Sequence, residues 1–248
     1  MSLRLRGTVI HQTEDALGNI LVLDHGKHRI LSFDSIFEQS KIARSKSYLP
    51  VHEYNRAMLL PIAFSLPRRA TILGLGGGVL VGALHHLLPE CELHAVELRQ
   101  QVAEVARRFF NLPEADKIRL TIADARPTLR DTPTASTDLI LTDLYGADRM
   151  SPAQSQRRFI DECERVLSPE GWLAINYHRM PTLDGRLFAH IRRLFACVLL
   201  FKSKTNNYVL FACKQYFEPL AADDPRLRAL ERHLPIAWSN LMARLTSA

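Results

Sequence analysis

A glycine-rich turn between an apolar run and a helical pattern constrains this chain most, and it lies within residues 70–97. The run at 71–73 is typical of a buried parallel strand, and it leads into GLGGG at 74–78. Helical spacing follows up to Pro89, and a second apolar run ends on Glu97. Strand, glycine turn, helix, strand and acid in this order are typical of the first half of a nucleotide-binding α/β domain.

The glycines and the acid each have a chemical role in such a turn. Gly74, Gly76 and Gly78 let the backbone turn tightly and approach a ligand without a Cβ. Glu97 is placed to accept hydrogen bonds from both hydroxyls of a ribose. The dinucleotide pattern G-x-G-x-x-G/A, begun at Gly74, needs a small residue where this chain has Val79. A nucleoside without a pyrophosphate therefore fits better than NAD, and close helix–strand packing is the alternative explanation of the glycines.

Composition restricts the class of protein. The chain has 248 residues, of which 47% are hydrophobic and 23% charged, as in an ordinary soluble globular protein with one large domain. No apolar stretch approaches the roughly 18 residues that span a bilayer, and the start lacks the apolar run of a secretory signal. The four cysteines form no C-x-x-C pair. We therefore expect a cytoplasmic, reduced protein that holds no metal and contacts no membrane.

The net charge of +6 permits weak attraction to nucleic acid. Half of that charge comes from residues 226–248, which hold four arginines and one glutamate. No basic run is interleaved with aromatic residues. The pattern therefore favours a solvated basic face over a nucleic-acid interface.

Residues 1–49 predict a small β-hairpin unit that precedes the main domain. Short alternating or β-branched runs are separated by turn signals at Gly18-Asn19 and Gly26-Lys27. The edges of such a unit need cover from a neighbouring element or subunit. A polar stretch follows, and residues 50–66 show a helical pattern that Pro67 stops.

From residue 71 onward, predicted strands alternate with predicted helices, which indicates a parallel sheet covered on both faces. The last two strands are joined only by residues 202–207, too short for a helical crossover, so they predict an antiparallel hairpin. Seven strands ending in such a hairpin are the class I S-adenosylmethionine methyltransferase architecture, a Rossmann-like α/β fold. We assign this domain to residues 50–218 and a tail of two short helices to residues 219–248. The predicted strands are 71–75, 92–97, 118–122, 137–143, 172–176, 197–201 and 208–213, and the predicted helices are 78–88, 99–110, 125–131, 153–167 and 182–195.

Acidic residues follow three of these strands at the edge where ligands bind in doubly wound sheets. Glu97 ends the second strand, Asp124 follows the third and Asp143 the fourth. Together with the glycine loop they predict a nucleoside site, with Glu97 on the ribose. Asp124 would accept from an adenine amine while the Ala125 N–H donates to the ring. Asp143 would lie near a sulfonium and an amine-bearing chain, since negative groups suit a cationic ligand.

Several motifs, distributed over nearly the whole chain, resemble the spermidine synthase (polyamine aminopropyltransferase) family. The resemblance implies a role in polyamine biosynthesis and a decarboxylated S-adenosylmethionine site that uses Gln39, Glu97, Asp124 and Asp143. It also implies a homodimer made partly by the N-terminal strands. The motifs are Phe33-Asp34 followed by Gln39, GLGGGVL at 74–80, VEL at 96–98, DA at 124–125 and TDLYG at 142–146.

The chain departs from the family pattern at three motifs that surround the reacting groups of donor and acceptor in the family. The family carries an acid inside the glycine loop, as GGGDGG, where this chain has Gly76. The second acid of the family's D-S-S-D is replaced by Gly146, and Asp148 is the candidate substitute. The family's Tyr-His-Glu is also altered, because His52-Glu53 follow a valine, and Tyr54 is the candidate for the tyrosine's part.

Three functions fit these residues. The first is aminopropyl transfer to a small-molecule amine, in which Asp143 and Asp148 hold the amine beside Tyr145, and His52 and Tyr54 line the substrate pocket. The second is methyl transfer from S-adenosylmethionine, because Gly76 removes the repulsion that a loop acid exerts on the methionine carboxylate. The third is a non-catalytic nucleoside-binding homologue. Residue types alone do not separate methyl from aminopropyl transfer, since both depend mainly on alignment.

Overall fold

Two β-sheets organise the computed structural model, which describes residues 5–33, 36–146 and 150–247. The first sheet is antiparallel, with its strands in chain order. The turn predicted at Gly26-Lys27 is confirmed, whereas the turn after β1 lies at residues 16–17, two residues before the predicted Gly18-Asn19, because Gly18 already pairs with Asp15. The strands β4 and β5 were not predicted, because four or five residues with partly exposed polar side chains give little alternation. The strands are β1 (Thr8–Asp15), β2 (Gly18–His25), β3 (His28–Ser32), β4 (Ser40–Ala43) and β5 (Lys46–Pro50).

The second sheet has eight strands in the order β13-β11-β12-β10-β9-β6-β7-β8. Strands β8, β7, β6, β9 and β10 are parallel, while β12 pairs antiparallel with both β10 and β11. The predicted α/β sheet with a C-terminal hairpin is thus confirmed, and the two-residue β13 adds one edge strand. The strands are β6 (Arg69–Leu73), β7 (Glu92–Glu97), β8 (Ile118–Ile122), β9 (Thr137–Thr142), β10 (Leu167–Tyr177), β11 (Cys197–Lys202), β12 (Tyr208–Cys213) and β13 (Thr246–Ser247).

Helices cover both faces of the second sheet, and none of those described is long and apolar enough to cross a membrane. The single helix predicted over residues 50–66 is wrong. The segment contains the short helix α1 and then a 3-10 helix at Leu60–Ala63, because Pro61 has no N–H to continue an α-helix. The helices are α1 (Glu53–Met58), α2 (Val79–Leu87), α3 (Gln100–Phe110), α4 (Ala125–Asp131), α5 (Arg157–Val166), α6 (Arg186–Leu194), α7 (Pro225–His233) and α8 (Trp238–Met242).

Strand β9 shows why the central strands have consecutive apolar residues in the sequence instead of alternating apolar and polar ones. Leu139 and Leu141 belong to a core cluster shared with α1, α2, α7 and α8, whereas Ile140 belongs to the cluster under α5 and α6. Successive side chains point to opposite faces of a sheet, so a strand buried on both faces needs apolar residues at every position. Polar side chains are therefore displaced to the strand ends. The division of the chain into domains at residues 1–49, 50–218 and 219–248 stays a prediction. The homodimer also stays a prediction.

Arg99 joins the N-terminal sheet to the second sheet. Its guanidinium, only 8% exposed, donates to both carboxylate oxygens of Asp15 at 2.9 Å and to the Gly18 carbonyl at 2.6 Å. The same group lies 4.6 Å from the centre of the Phe33 ring. The hydrogen bond from Arg99 holds the pKa of Asp15 below its ordinary value. This stabilisation is present at neutral pH and is lost as the pH falls through that lowered pKa.

We predict that Arg99→Ala lowers the free energy of unfolding by about 2 kcal/mol, the scale of losing charge-assisted hydrogen bonds at a partly buried site. Arg44→Ala is the matched control, because Arg44 forms a 2.9 Å ion pair with Asp24 on the same sheet but is 52% exposed. That variant should lose less than about 1 kcal/mol. Urea unfolding followed by circular dichroism measures both. Equal losses in the two variants would contradict a special role for Arg99.

Candidate functional site

A cavity of about 640 Å³ lies at the carboxyl edge of the second sheet, beneath the segment that joins β3 to β4. The strand order places the glycine loop after β6, Glu97 at the end of β7 and Asp143 after β9. Gly78 does not line this cavity. It is the N-cap of α2, with φ 73°, and an added Cβ would meet Leu112. Asp148 lies outside the described residues. The predicted site residues that line the cavity are Gln39, His52, Tyr54, Gly74, Gly76, Glu97, Asp124, Ala125, Asp143 and Tyr145.

The glycine loop is held from the N-terminal sheet by Ser40, a residue that the sequence did not single out. Gly74 and Gly76 have φ of +91° and +53°, in the left-handed region that favours glycine. The N–H of Gly77 donates to the Ser40 hydroxyl at 2.8 Å. An added Cβ on Gly76 would stand 2.6 Å from that hydroxyl oxygen. The loop therefore has no room for a side chain at Gly76 while Ser40 keeps this position.

Glu97 is bound beneath the loop rather than exposed in the cavity. Its carboxylate, 8% exposed, accepts from the N–H of Leu75 at 3.0 Å and from the N–H of Arg99 at 2.9 Å. Burial raises the pKa of Glu97, and these N–H groups act in the opposite direction. A carboxylate has about four acceptor positions. The N–H of Gly76 is a third backbone group that lowers the pKa of Glu97. Three backbone contacts still leave acceptor capacity for a ligand hydroxyl.

The carboxylate of Asp124 caps the N-terminus of α4 and also forms an ion pair with Arg126. Its carboxylate accepts from the N–H of Arg126 at 2.8 Å, and the Arg126 guanidinium lies 2.7 Å from the other oxygen. The pair lowers the pKa of Asp124. A ligand amine at Asp124 has to share this carboxylate with Arg126. Apolar residues that were not predicted as site residues also line the cavity, namely Leu17, Phe37 and Leu98.

Asp143 lies in the middle of the sheet edge, between the two halves of the cavity. Its carboxylate accepts from the Asn176 amide at 2.7 Å and from the Tyr54 hydroxyl. Burial raises the pKa of Asp143 to about 6, although both hydrogen bonds favour the charged form. Among the described residues no cation forms an ion pair with Asp143. This acid is therefore able to take a proton near neutral pH.

Residues of β10 and of the β11–β12 loop complete the half of the cavity beyond Asp143. Asn176 also receives a hydrogen bond from Asn207, whose amide lies 3.1 Å from the Asn176 side-chain oxygen. The Tyr145 hydroxyl donates to the Asn176 carbonyl at 3.3 Å. Thr205 lines the cavity beside Asn207. The loop residues were missed because nothing in their local sequence shows that a hairpin returns to the ligand edge.

Gln39 and His52 lie where the N-terminal sheet meets the cavity. The Gln39 amide donates to the Gly146 carbonyl at 3.3 Å, which connects the β3–β4 segment to the loop after β9. The imidazole of His52 lies 3.6 Å from the carboxylate of Glu38. Burial lowers the pKa of His52, although Glu38 acts in the opposite direction. Both residues thus line the cavity, and their roles in ligand binding stay predictions.

Known proteins resemble the chain in sequence and in fold. Residues 72–175 match the family model "Methyltransferase domain". A polyamine aminopropyltransferase of Chromobacterium violaceum is 30% identical over 182 residues, which cover 73% of this chain and 68% of that protein. The eEF1A lysine and N-terminal methyltransferase of Bos taurus is 29% identical over 212 residues, 76% of this chain and 30% of that protein. In fold, a crystal structure of a probable spermidine synthase from Corynebacterium glutamicum superposes with a TM-score of 0.76, at 20% identity over 90% of this chain and 86% of that one.

We predict that the pKa of Asp143 is about 6 in the folded protein. Asn176→Leu should raise it further, because the lost hydrogen bond favours the carboxylate. Tyr145→Phe should leave it nearly unchanged, since the Tyr145 hydroxyl bonds the Asn176 carbonyl instead. Carbon-13 NMR titration of labelled aspartate measures these values, with Asp143→Asn assigning the signal. A wild-type pKa near 4 would contradict the burial described here.

Proposed function

The chain belongs to the polyamine aminopropyltransferase family, and within that family we propose that it transfers an aminopropyl group from decarboxylated S-adenosylmethionine to a small amine. The observation that carries this proposal is Asp143, a carboxylate with a raised pKa in the cavity that Glu97 and Asp124 line on one side and Asn176 and Asn207 on the other. The protein is a transferase of the spermidine synthase type, with a co-substrate related to S-adenosylmethionine. The identity of its donor, decarboxylated S-adenosylmethionine, and of its acceptor, a small amine, is part of the proposal.

The donor half has groups for each part of a nucleoside. Glu97, held by the backbone N–H groups of Leu75, Gly76 and Arg99, would accept from the ribose with its remaining acceptor capacity. Asp124 and the N–H of Ala125 would bind the edge of the base. The exposed apolar side chain of Leu98, which lines the cavity next to Glu97, would cover the base. This order along β8, β7 and β6 would bring the sulfonium to Asp143.

The transfer needs one proton to leave the acceptor before the bond forms. An acceptor that arrives as an ammonium gives a proton to the Asp143 carboxylate and becomes a neutral amine. The nitrogen lone pair then forms a bond to the aminopropyl carbon while the carbon–sulfur bond breaks, and its electron pair stays on sulfur. The products are methylthioadenosine and a secondary ammonium, and Asp143 returns its proton to water. A pKa of about 6 suits such a base near neutral pH.

Methyl transfer from ordinary S-adenosylmethionine is the second candidate. Two observations favour it: Gly76 stands where the family has a loop acid, and the bovine methyltransferase is 29% identical over 76% of this chain. A loop acid would attract the donor's ammonium and repel a carboxylate. With Gly76 that repulsion is absent, so the cavity is compatible with the carboxylate-bearing donor as well.

We predict that Glu97→Gln weakens binding of methylthioadenosine by about 1.5–3 kcal/mol, the scale of hydrogen bonds to a charged acceptor. Glu104→Gln is the control, because it makes the same change of charge on the exposed face of α3. Calorimetry measures both affinities, and circular dichroism checks that the fold is retained. Equal affinity in all three proteins would rule out the ribose role of Glu97.

We predict that the protein releases methylthioadenosine when it is given the decarboxylated donor and an amine. Asp143→Asn should slow that release by at least about a hundredfold, the range of general-base effects. Chromatography separates methylthioadenosine, the product of aminopropyl transfer, from S-adenosylhomocysteine, the product of methyl transfer. Release of S-adenosylhomocysteine alone would replace the first candidate by the second.

We predict that ordinary S-adenosylmethionine binds within about tenfold of the decarboxylated donor. A loop acid about 4–6 Å from a charged group of the donor would interact with it by on the order of 3 kcal/mol at an effective dielectric near 20. A third of that energy changes the ratio of the two donors' affinities several-fold. Gly76→Asp in a Ser40→Ala background should therefore favour the decarboxylated donor, since the second change removes the hydroxyl that an added Cβ would meet. Ser40→Ala alone is the control. A hundredfold preference in the wild type would show that other residues supply the discrimination.

A further inference from the structure

Two polar atoms in the acceptor half of the cavity, the half beyond Asp143, have no hydrogen-bond partner. In the described part of the chain three buried side-chain atoms are unpaired, and two of them, Asn55 Oδ1 and His52 Nε2, belong to residues that line this cavity. Asn55 is 3% exposed. Buried polar groups normally find partners, and leaving one unpaired costs about 1–3 kcal/mol. His52 Nε2 lies 3.6 Å from the Glu38 carboxylate, whereas Asn55 Oδ1 has no such neighbour among the described residues. Asn55 Oδ1 therefore indicates a ligand with a hydrogen-bond donor at this end.

The orientation of the Asn55 amide follows from its neighbours. The Tyr54 hydroxyl is hydrogen bonded to both Asp143 and Asn55. A carboxylate only accepts, so Tyr54 donates its single proton to Asp143 and must accept from the amide nitrogen of Asn55. The Oδ1 atom of Asn55 is left to accept from a ligand.

Among the described residues, the acids near this half other than Asp143 each have a cationic partner. The carboxylate of Glu38 is bound by the Lys41 ammonium at 3.0 and 3.2 Å. Glu53, at the start of α1, is bound by Arg244 at 2.6 Å. The polar residues that line this part of the cavity include the amides Asn55, Asn176 and Asn207, the hydroxyls of Tyr54, Tyr145 and Thr205, and His178. Within the described part of the chain, the carboxylate of Asp143 is therefore the one without a cationic partner.

We propose that the acceptor is an amine with one cationic nitrogen and a neutral hydrogen-bond donor, such as a hydroxyl, at its other end, and that Asn55 selects this end. The inference rests on the proposed transfer to an amine and specifies its substrate class. A hydroxyl donates to Asn55 Oδ1, so this buried oxygen gains a partner. A second ammonium at the same place would meet the Asn55 amide, which carries no charge, and would lose its hydration, which is costly for an unpaired charge.

The test compares three four-carbon acceptors with the wild-type protein and the decarboxylated donor: 4-aminobutan-1-ol, 1,4-diaminobutane and butylamine. Release of methylthioadenosine gives kcat/KM for each. We expect the amino alcohol to equal or exceed the diamine, and to exceed butylamine by about tenfold, the worth of one good hydrogen bond. A diamine preferred by tenfold or more would overturn the inference.

Asn55→Asp should shift the ratio of diamine to amino alcohol at least tenfold toward the diamine, because it adds a charge where the second ammonium would lie. Asn206→Asp is the matched control, with the same change of charge on an exposed residue of the β11–β12 loop that does not line the cavity. It should leave the ratio unchanged. A ratio that Asn55→Asp does not move, or that both variants move equally, would overturn the role of Asn55.

Binding of the amino alcohol can be measured even if a variant shows no detectable transfer. Calorimetry with methylthioadenosine bound should show the amino alcohol at least fivefold weaker in Asn55→Ala than in the wild type, with circular dichroism as the check of folding. Equal affinities would overturn the inference. Nucleoside binding with transfer to the diamine alone would overturn it while sustaining the proposed function. Absence of both nucleoside binding and transfer would overturn both.

Discussion

The close contact between the glycine loop and the end of β9 is the constraint on which the site depends. The N–H of Asp143 donates to the Leu73 carbonyl, and the N–H of Gly74 donates to the Val96 carbonyl, both at 2.9 Å. An added Cβ on Gly74 would collide with the Asp143 carbonyl. Three neighbouring strands therefore end within hydrogen-bonding distance of one another. This contact brings the loop, Glu97 and Asp143 to one place without any ligand.

The central sheet and its edge were predictable from the sequence because burial on both faces leaves a clear pattern. The middle of a strand such as β9 is apolar, at Leu139, Ile140 and Leu141, and the acid that follows the strand lies at the ligand edge. The same rule identified Glu97, Asp124 and Asp143. The glycine loop was visible for the related reason that its backbone requires positive φ at Gly74 and Gly76.

Other parts of the site were not predictable, because their roles come from long-range contacts. Ser40 reaches the loop only because β4 folds over it, and no local pattern marks such a serine. Asn55 and Asn207 come from a short helix and a hairpin loop that are far apart in sequence. Pro61, in contrast, was a local signal that the helical pattern at 50–66 concealed. The donor half of the cavity is thus encoded locally, and the acceptor half by tertiary structure.

The ion pair between Glu53 and Arg244 connects the acceptor half to the end of the chain. The same glutamate accepts from the N–H of Lys204 at 2.7 Å, in the loop that carries Thr205 and Asn207. Arg244 also lies 4.4 Å from the centre of the Phe201 ring in β11. The C-terminal tail therefore supports the loop that borders the acceptor. Changes at Glu53 or Arg244 would therefore alter the loop that carries Thr205 and Asn207 from outside the cavity, while the glycine loop has no contact with this ion pair.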